Sequence, residues 1–502
     1  MAKTSTYWDK RALKRLSDAE KMSEEYLERI KKIYKQAYRN IDRDIAKVYK
    51  NYAKDTGLDV DKLKELLTRS QTDKLWEQMK RQGLDKYIKN NYKARISRLE
   101  QIQAQIYAEA KRIYPKEELE QTMCYKGVIN DSYYKAVYDT QMGTGLDFAF
   151  TKIDKNMTTA LLNEKWSGLN YSQRIWGNTD ILAESLSEIV GGAMLSGQSI
   201  AKTSKQIRER FNVSQYYAER LVRTETNHFH NRADAMAYED MGVDMYVFVA
   251  VLDNRTSEKC QSMDGKKFAY KDLQEGVNYP PLHPNCRSKT RGYIDEETEK
   301  SLHRRARNPI TGKNEVIGNM SYKDWLAKQK VKYSEAEVNK SFKMAKNKSA
   351  DKKQYDRYVN RLGAKKVGTF DNFRNIKYNG EWNDLKRQYS LKRHYDISIA
   401  NGDLDSLVDF ELYNKMDKQI TDSLHGKKVN EIEIKNHSYH FIDRVFGSVE
   451  QRRNGVSLTD ITNTLNKPAR QVTRGNSTKF YGENNIISIN HTTGNLIQVN
   501  PY

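Results

Sequence analysis

The sequence predicts a multidomain protein with a mainly α-helical body and a small α+β unit carrying a Cys/His loop. A basic linker and a C-terminal small α+β domain, helix plus antiparallel sheet, follow. Three observations predict this. Apolar residues recur at three- and four-residue steps through the N-terminal part of the chain. Two of the three cysteines, one histidine and three prolines fall within CQSMDGKKFAYKDLQEGVNYPPLHPNCR, residues 260–287. Near residue 396 a polar, basic texture gives way to short β-like strings.

Taken in order, residues 8–55 read as one long helix, because Leu16, Ile30, Ile33, Ala37, Ile41, Ile45 and Val48 line one face with charges opposite. Gly57 ends it and Asp59 caps a helix at LDVDKLKELL. A further helix over about 74–113 stops before Pro115, since the residue preceding a proline disfavours helix. Helical patterns continue through YSQRIWGNTDILAESLSEIVGGAMLSG and SIAKTSKQIRERF. Ser214 caps VSQYYAERLVRTETNHFHNRADAMAYEDMGV, with Gly242 in the terminating position. DMYVFVAVLD, residues 244–253, is a short strand of β-branched and aromatic residues. These elements define a helical region over 1–150 and an α+β unit over 151–300.

Residues 301–395 read as a basic linker with one or two exposed helices and little core. The last domain, 396–502, holds a strand at EIEIKN and a helix at HSYHFIDRVF. SLTDITNTLN opens with a Ser457–Asp460 capping pattern, and a hairpin turns at Thr493-Gly494-Asn495.

A chain of 502 residues suggests roughly three domains and a core large enough to need no disulfides. An odd count of three cysteines argues for a reducing compartment. The opening MAKTSTYWDKRALKRL lacks the apolar stretch of a secretory signal. No window reaches the roughly 18 apolar residues that span a bilayer, so neither secretion nor a membrane anchor is expected. The net charge of +21 is uneven. Residues 301–400 hold 24 Lys/Arg against 10 Asp/Glu, a surplus of 14, whereas residues 401–502 hold 12 of each. Polyanions are drawn to the surplus first.

His283 and Cys286 form H-x-x-C, with Cys260 upstream across an expected hairpin. Thiolate and imidazole donors on two joined segments are the pattern of a structural zinc site. The fourth ligand stays open between Asp253, Asp264, His228, His230 and a water. The plainer reading makes Cys260 and Cys286 small buried residues and His283 a hydrogen-bonded loop residue. Cys124, alone in a helical stretch, reads as core. No general base accompanies the loop, which argues for a structural role over a catalytic one. Arg223 and Glu225 do not face each other on a helix. Pairing of Glu225 with Arg255, or of Arg223 with Asp253, would tie their helix to the hairpin.

The strings RTETNHFHNRADAMAYEDMGV, FVAVLDNRTSEKCQSMDGKKF and YPPLHPNCRSKTRGYI resemble the Mu-F-type domain of minor head (head morphogenesis) proteins of tailed phages. Arg223, Thr224, Glu225, Asp253, Arg255, Thr256, Cys260, Asp264, Gly265, Pro280, Pro281, His283, Pro284, Asn285, Cys286 and Arg287 carry the likeness, over about residues 150–295. Many relatives have a second cysteine beside each of these two, where this chain has Met263 and Ser288. The whole chain is similar to minor head proteins of staphylococcal siphophages. The resemblance implies a low-copy virion protein of the capsid interior, made in the host cytoplasm and partnered by the portal and other head proteins. It also implies ejection with the genome. The basic stretch would then meet packaged double-stranded DNA through phosphate contacts, or serve as a solvated face.

In the tail, His437, His440 and Arg444 fall on one face of the expected helix. Such a set suits RNA cleavage: a base for the 2′-hydroxyl, an acid for the leaving oxygen, and Arg for the phosphorane. Ser477, Lys479 and Tyr481 precede the final hairpin, and Thr493 lies in its turn. The H-x-x-x-R helix, the STKFYG string and the terminal hairpin resemble phage-borne nuclease-like domains grouped with barnase, EndoU, colicins E5 and D, and RelE. That resemblance implies a metal-independent, toxin-like ribonuclease acting on host RNA. An inactive relative kept for structure is the alternative, and a generic DNA-binding scaffold is a third reading.

Overall fold

A computed structural model of the chain describes residues 5–55, 64–87, 97–144, 147, 149–293, 295–380 and 382–502. It divides into two units, residues 1–338 and 339–502. No described helix is long and apolar enough to cross a membrane.

In the first unit, helix α1 (Ser5–Asp55) is continuous, as its apolar stripe predicts. Ile30, Ile41 and Ile45 are buried, joined at the same spacing by Leu27 and Tyr34, while Ile33, Ala37 and Val48 pack half-buried beside them. Gly57, Asp59 and most of LDVDKLKELL lie outside the described residues, as does the side chain of Leu16.

The single helix expected over 74–113 is instead α2 (Arg69–Arg81), α3 (Arg98–Lys111) and the start of α4 (Ile113–Thr144). Gly83, at φ +64°, turns the chain after α2. Ser97 opens α3 in a reciprocal capping box with Glu100. Pro115 ends nothing: it sits in the first turn of α4, where its missing N–H has no helical partner to lose.

Helices α5 (Lys155–Leu162) and α6 (Tyr171–Leu195) lead into α7 (Ile200–Asp240). Ser199, and not Ser214, caps α7. Ser214 is buried within the helix and donates to Asn178 Oδ1 at 3.2 Å, so its hydroxyl serves α6 and leaves the helix uninterrupted. Gly242, at φ +74°, ends the run as expected. Helices α1, α4 and α7 pack on one another, and α3 packs on α6. They bury one cluster around Tyr125, Ile129 and Phe229 and another around Leu27, Tyr34, Leu186 and Val222. Each such side chain contributes about 1.5–3 kcal/mol. Arg15 is buried between Asp139 at 2.6 Å and Asp234 at 3.4 Å. Burial opposes its charge, yet Asp234, Tyr238 and Asp139 raise its pKa above the ordinary value.

Strand β1 (Met245–Val249) is the centre of an antiparallel sheet, flanked by β2 (Lys267–Ala269) and β3 (Lys289–Gly292). Helix α8 (Glu258–Met263), capped by Ser257, joins β1 to β2.

Residues 301–338 are not linker. After α9 (Glu296–Ser301), β4 (His303–Arg307) and β5 (Asn314–Gly318) form a hairpin, and α10 (Tyr322–Tyr333) buries Tyr322 and Trp325. Arg304 closes on Asp264 with two bonds of 2.8 and 2.9 Å, and Asp264 also accepts from Ala250 N and Tyr322 N, both at 2.7 Å. A hairpin held by a buried carboxylate lacks the apolar alternation that betrays a strand.

Helix α11 (Glu335–Leu362) spans the boundary between the units. In the second unit, α12 (Ala364–Val367), α13 (Phe370–Tyr378) and α14 (Trp382–Ala400) enclose Tyr358, Val367, Phe373 and Leu385. Tyr358 and Tyr389 stack at 4.2 Å. The expected linker therefore has a core, but an aromatic one, with few of the aliphatic repeats that mark buried helices.

Helix α15 (Phe410–Leu424), β6 (Lys428–Val429), β7 (Ile432–Glu433) and β8 (Asn436–His437) precede α16 (Tyr439–Phe446) and α17 (Leu458–Asn466). Strands β9 (Arg470–Arg474), β10 (Ser477–Tyr481), β11 (Asn485–Asn490) and β12 (Asn495–Pro501) complete a sheet of order β8-β12-β11-β10-β9. Only the β8–β12 pairing in that sheet is parallel. Ser457 Oγ accepts from Asp460 N at 3.1 Å, as the capping pattern predicts. Gly494, at φ +69°, makes the last turn, where a Cβ would stand 2.2 Å from the Glu433 carbonyl oxygen. Phe441, Ile442, Phe480, Ile487 and Leu496 form the core between helices and sheet.

Candidate functional site

The Cys/His loop is built by three elements. Cys260 lies on α8, His283 and Cys286 on the segment entering β3, and α7 holds that segment from behind. Thr224 Oγ1 accepts from Asn285 N at 2.9 Å, Asn227 Nδ2 donates to Ser288 O at 2.9 Å, and Asn231 Oδ1 accepts from Thr290 N at 2.9 Å. Sequence reasoning missed this row. Its signal was the run of amide and hydroxyl residues at helical spacing in RTETNHFHN.

Cys260 Sγ stands 3.3 Å from His283 Nε2 and 3.7 Å from Cys286 Sγ. A tetrahedral zinc with ordinary bond lengths has S–S edges of about 3.8 Å and S–N edges of about 3.6 Å. Two of the three donor separations lie near these edges, and the third pair lies within 4.8 Å. His283 Nδ1 donates to Pro284 O at 2.9 Å, which leaves Nε2 with its lone pair toward the sulfurs and Ser257 Oγ. Phe248, Ala250 and Leu282 pack around the thiols. The Cys260 thiol is pushed down to about 4, first by its bond from Cys286 and then by His283. Facing that thiolate, Cys286 is raised, and His283 is raised by the same neighbour.

The expected fourth ligands lie elsewhere. Asp253 is held by Arg287 at 2.7 and 2.9 Å and accepts from Arg255 N, while Asp264 is consumed by Arg304. His230 pairs with Ser132 at 2.8 Å, and His228 faces Glu164 and Glu275. Ser257 Oγ stands 2.8 Å from His283 Nε2.

The expected ties of the RTE string are also corrected. Glu225 takes Arg174 and, at 3.1 Å, Trp166 Nε1; Arg223 takes Glu24 at 3.1 Å. The Arg255 side chain is exposed beside Arg287, whose charge lowers its pKa. Asp253 prefers Arg287 because the guanidinium reaches both of its oxygens.

In the tail, the histidine face divides. His437 is not on the helix: it ends β8, one residue before Ser438 caps α16. Its Nε2 donates to Asp417 Oδ1 at 3.0 Å and its Nδ1 faces His425 Nε2 at 2.9 Å. His440 and Arg444 do share a face, with Arg444 Nε donating to His440 Nε2 at 3.1 Å. Burial and then Arg444 push the His440 pKa down. Arg444 Nη1 reaches Asn500 Oδ1 at 3.3 Å, and Asn500 stands in register with Ile486 and Tyr481.

Ser477, Lys479 and Tyr481 alternate on β10, away from the buried Thr478 and Phe480. Ser477 pairs with Asn490 beside the last turn, where Thr493 is exposed, and Tyr481 lies at the opposite end. Four strand residues span about 13 Å. The set expected as one site is therefore divided: His440 and Arg444 beside Asn500 with Tyr481 in its row, Ser477 and Thr493 at the far end, and Lys479 exposed midway along β10. His437 belongs to the Asp417 chain.

Residues 184–291, which hold all of α7, the three-stranded sheet up to Arg291 and the whole Cys/His loop, match the family model described as Phage Mu protein F like protein. This segment is a Phage Mu F-like domain. The chain is also 24% identical over 139 residues to the NAD(+)--arginine ADP-ribosyltransferase EFV of Enterococcus faecalis (strain ATCC 700802 / V583). That match covers 27% of this chain and 28% of the relative's length. No solved structure matches the chain. The Mu F-like domain accounts for the loop, its α7 backing and the Asp264-Gly265 turn, and the match ends at residue 291.

Proposed function

We propose that the chain is a phage head protein, located inside the capsid at the portal and contacting packaged DNA. The observation that carries this is the Mu F-like domain itself, with its loop locked onto a long helical body. Exposed apolar residues on α6 and α7, among them Trp176, Ile181, Tyr216 and Tyr217, suit contacts with other head proteins. The surplus of 14 positive charges over residues 301–400 suits phosphate contacts. Quantifying the chain in purified virions tests the reading, with the interior position checked by protease resistance of intact particles. Absence from virions overturns it.

Within this role, Cys260, His283 and Cys286 hold a structural zinc that clips α8 to the loop. It supplies closure and no chemistry. Metal analysis of the full chain beside Cys260→Ser tests the clip, and equal zinc in both rejects it.

A second reading, capsid-delivered ribonuclease, is favoured by one observation: Arg444 bonded to His440 and reaching the sheet row of Tyr481. RNA cleavage by the full chain in EDTA, lost in His440→Ala, supports it. Intact RNA leaves the tail domain a structural one.

A further inference from the structure

We propose that Glu164, His228 and Glu275 bind a divalent transition metal at a site separate from the cysteine loop and independent of the head-protein reading. Glu164 follows α5, His228 lies in mid-α7, and Glu275 stands between β2 and β3. One donor atom from each lies within 4.8 Å of the others. His228 Nδ1 is 3.3 Å from Glu275 Oε1 and its Nε2 is 3.6 Å from Glu164 Oε2.

The imidazole is fully buried, with 0% of its side chain exposed. Neither of its nitrogens has a hydrogen-bond partner among the described residues, and Glu275 Oε1 has none either. Each buried polar atom left so costs stability, which makes such atoms rare. The charge balance also calls for a cation. Arg232, 3.1 Å from Glu164 and 3.4 Å from Glu275, offsets one of the two carboxylate charges. A water would leave the second charge standing, whereas a dication more than offsets it and takes one oxygen from each carboxylate with the lone pair of one imidazole nitrogen.

One imidazole and two carboxylates suit Mn2+, Fe2+ or Zn2+ and not a thiophilic ion. The surroundings are ordered for the task. Trp166 stacks on the His228 ring at 5.3 Å and 18°, and Trp166 is itself anchored by Glu225. Glu164, with 31% of its side chain exposed, leaves an entry path. The rival arrangement is an imidazolium clamped between two carboxylates with no metal.

The test uses the full chain, stripped with chelator and titrated with Mn2+ while free Mn2+ is read by electron paramagnetic resonance. Thiolates disfavour Mn2+, so the Cys260 loop does not contribute. We expect one Mn2+ per chain, weakened by about tenfold or more in Glu164→Gln and Glu275→Gln and abolished in His228→Gln. Bound Mn2+ should quench a tryptophan signal that Trp166→Phe lacks. Circular dichroism checks folding; if His228→Gln fails to fold, the half-buried Glu164→Gln decides. Absence of bound Mn2+, or equal binding by wild type and Glu164→Gln, overturns the site and leaves the clamped imidazolium.

Discussion

Replacing Asp264 by Asn tests the polar closure of the first unit. The carboxylate side chain is 0% exposed and accepts two bonds from Arg304, one from Ala250 N and one from Tyr322 N. Asparagine would turn an NH2 toward two of those donors and leave Arg304, whose side chain is 10% exposed, without its counter-charge. Removing one partner of a buried pair costs about 3–5 kcal/mol. In a unit this large each kcal/mol lowers Tm by about 2 °C, so a fall of about 6–10 °C is expected. Scanning calorimetry of the full chain measures it, with the second unit's transition as an internal reference. Asp356→Asn breaks the exposed pair with Lys352, 2.7 Å apart, and should shift either transition by less than about 1 °C. The double variant Asp264→Asn/Arg304→Met should recover part of the loss, because no charge is then stranded. A first-unit transition within about 1 °C of wild type in Asp264→Asn would refute the reasoning.

Other outcomes follow from the same geometry. In the metal-free chain, thiolate absorbance should develop as pH rises through about 4 from Cys260, while Cys124, which burial pushes up to about 12, stays protonated; a chain with no thiolate at pH near 6 contradicts this. Burial, followed by Arg444 for His440 and by His437 for His425, lowers both histidines. Their folded pKa lies below the unfolded value of about 6.5, so the unfolded chain takes protons first and second-unit stability falls as pH drops below it. Urea midpoints at two pH values, one on each side of it, should differ less in His425→Gln/His440→Gln. Gly494→Ala forces a Cβ to 2.2 Å from Glu433 O at φ +69°, and should cost the second unit at least about 2 kcal/mol in urea unfolding. With Cys260, His283 and Cys286 metal-bound, chelation should raise hydrogen exchange in α8 and around residue 286 while α7 stays protected. Global unfolding on chelation would place the clip at the heart of the fold.

Where apolar periodicity does the work, the fold is legible in the sequence. Helix α1 follows its stripe, Gly242 ends α7, and Ser457 caps α17. Where polar groups do it, the fold is hidden. Nothing local in HRRAR announces a strand whose anchor is a carboxylate on another segment. Of the loop site, the three donors were readable because Cys, His and Pro are scarce in this chain, but Asp253 and Asp264 were misjudged since each satisfies an arginine. His437 was drawn onto a helix by its spacing from His440, although Ser438 stands between them as the cap, its Oγ accepting from Phe441 N at 3.1 Å. Glu164 and Glu275 reach His228 from distant segments, a juxtaposition that only the packing reveals.

The string RTETNHFHNR encodes two polar stripes on one buried helix. Thr224, Asn227 and Asn231 step by three and four and so share a face, which grips the backbone of the Cys286 segment. Glu225, His228 and Arg232 repeat the same steps one position on, and that face meets Trp166, Glu164 and Glu275. A helix buried on so many sides would ordinarily be apolar, because each interior polar atom must find a partner or cost stability. Here the first stripe finds backbone amides and carbonyls that a loop without regular hydrogen bonding must satisfy somewhere. The loop is therefore ordered by α7 without a metal, and a zinc at the cysteines would have only to join α8 to a frame already in place. The second stripe has no backbone to satisfy. Its imidazole finds only carboxylates beyond hydrogen-bonding geometry, which is the reason a cation, and not another protein group, completes it.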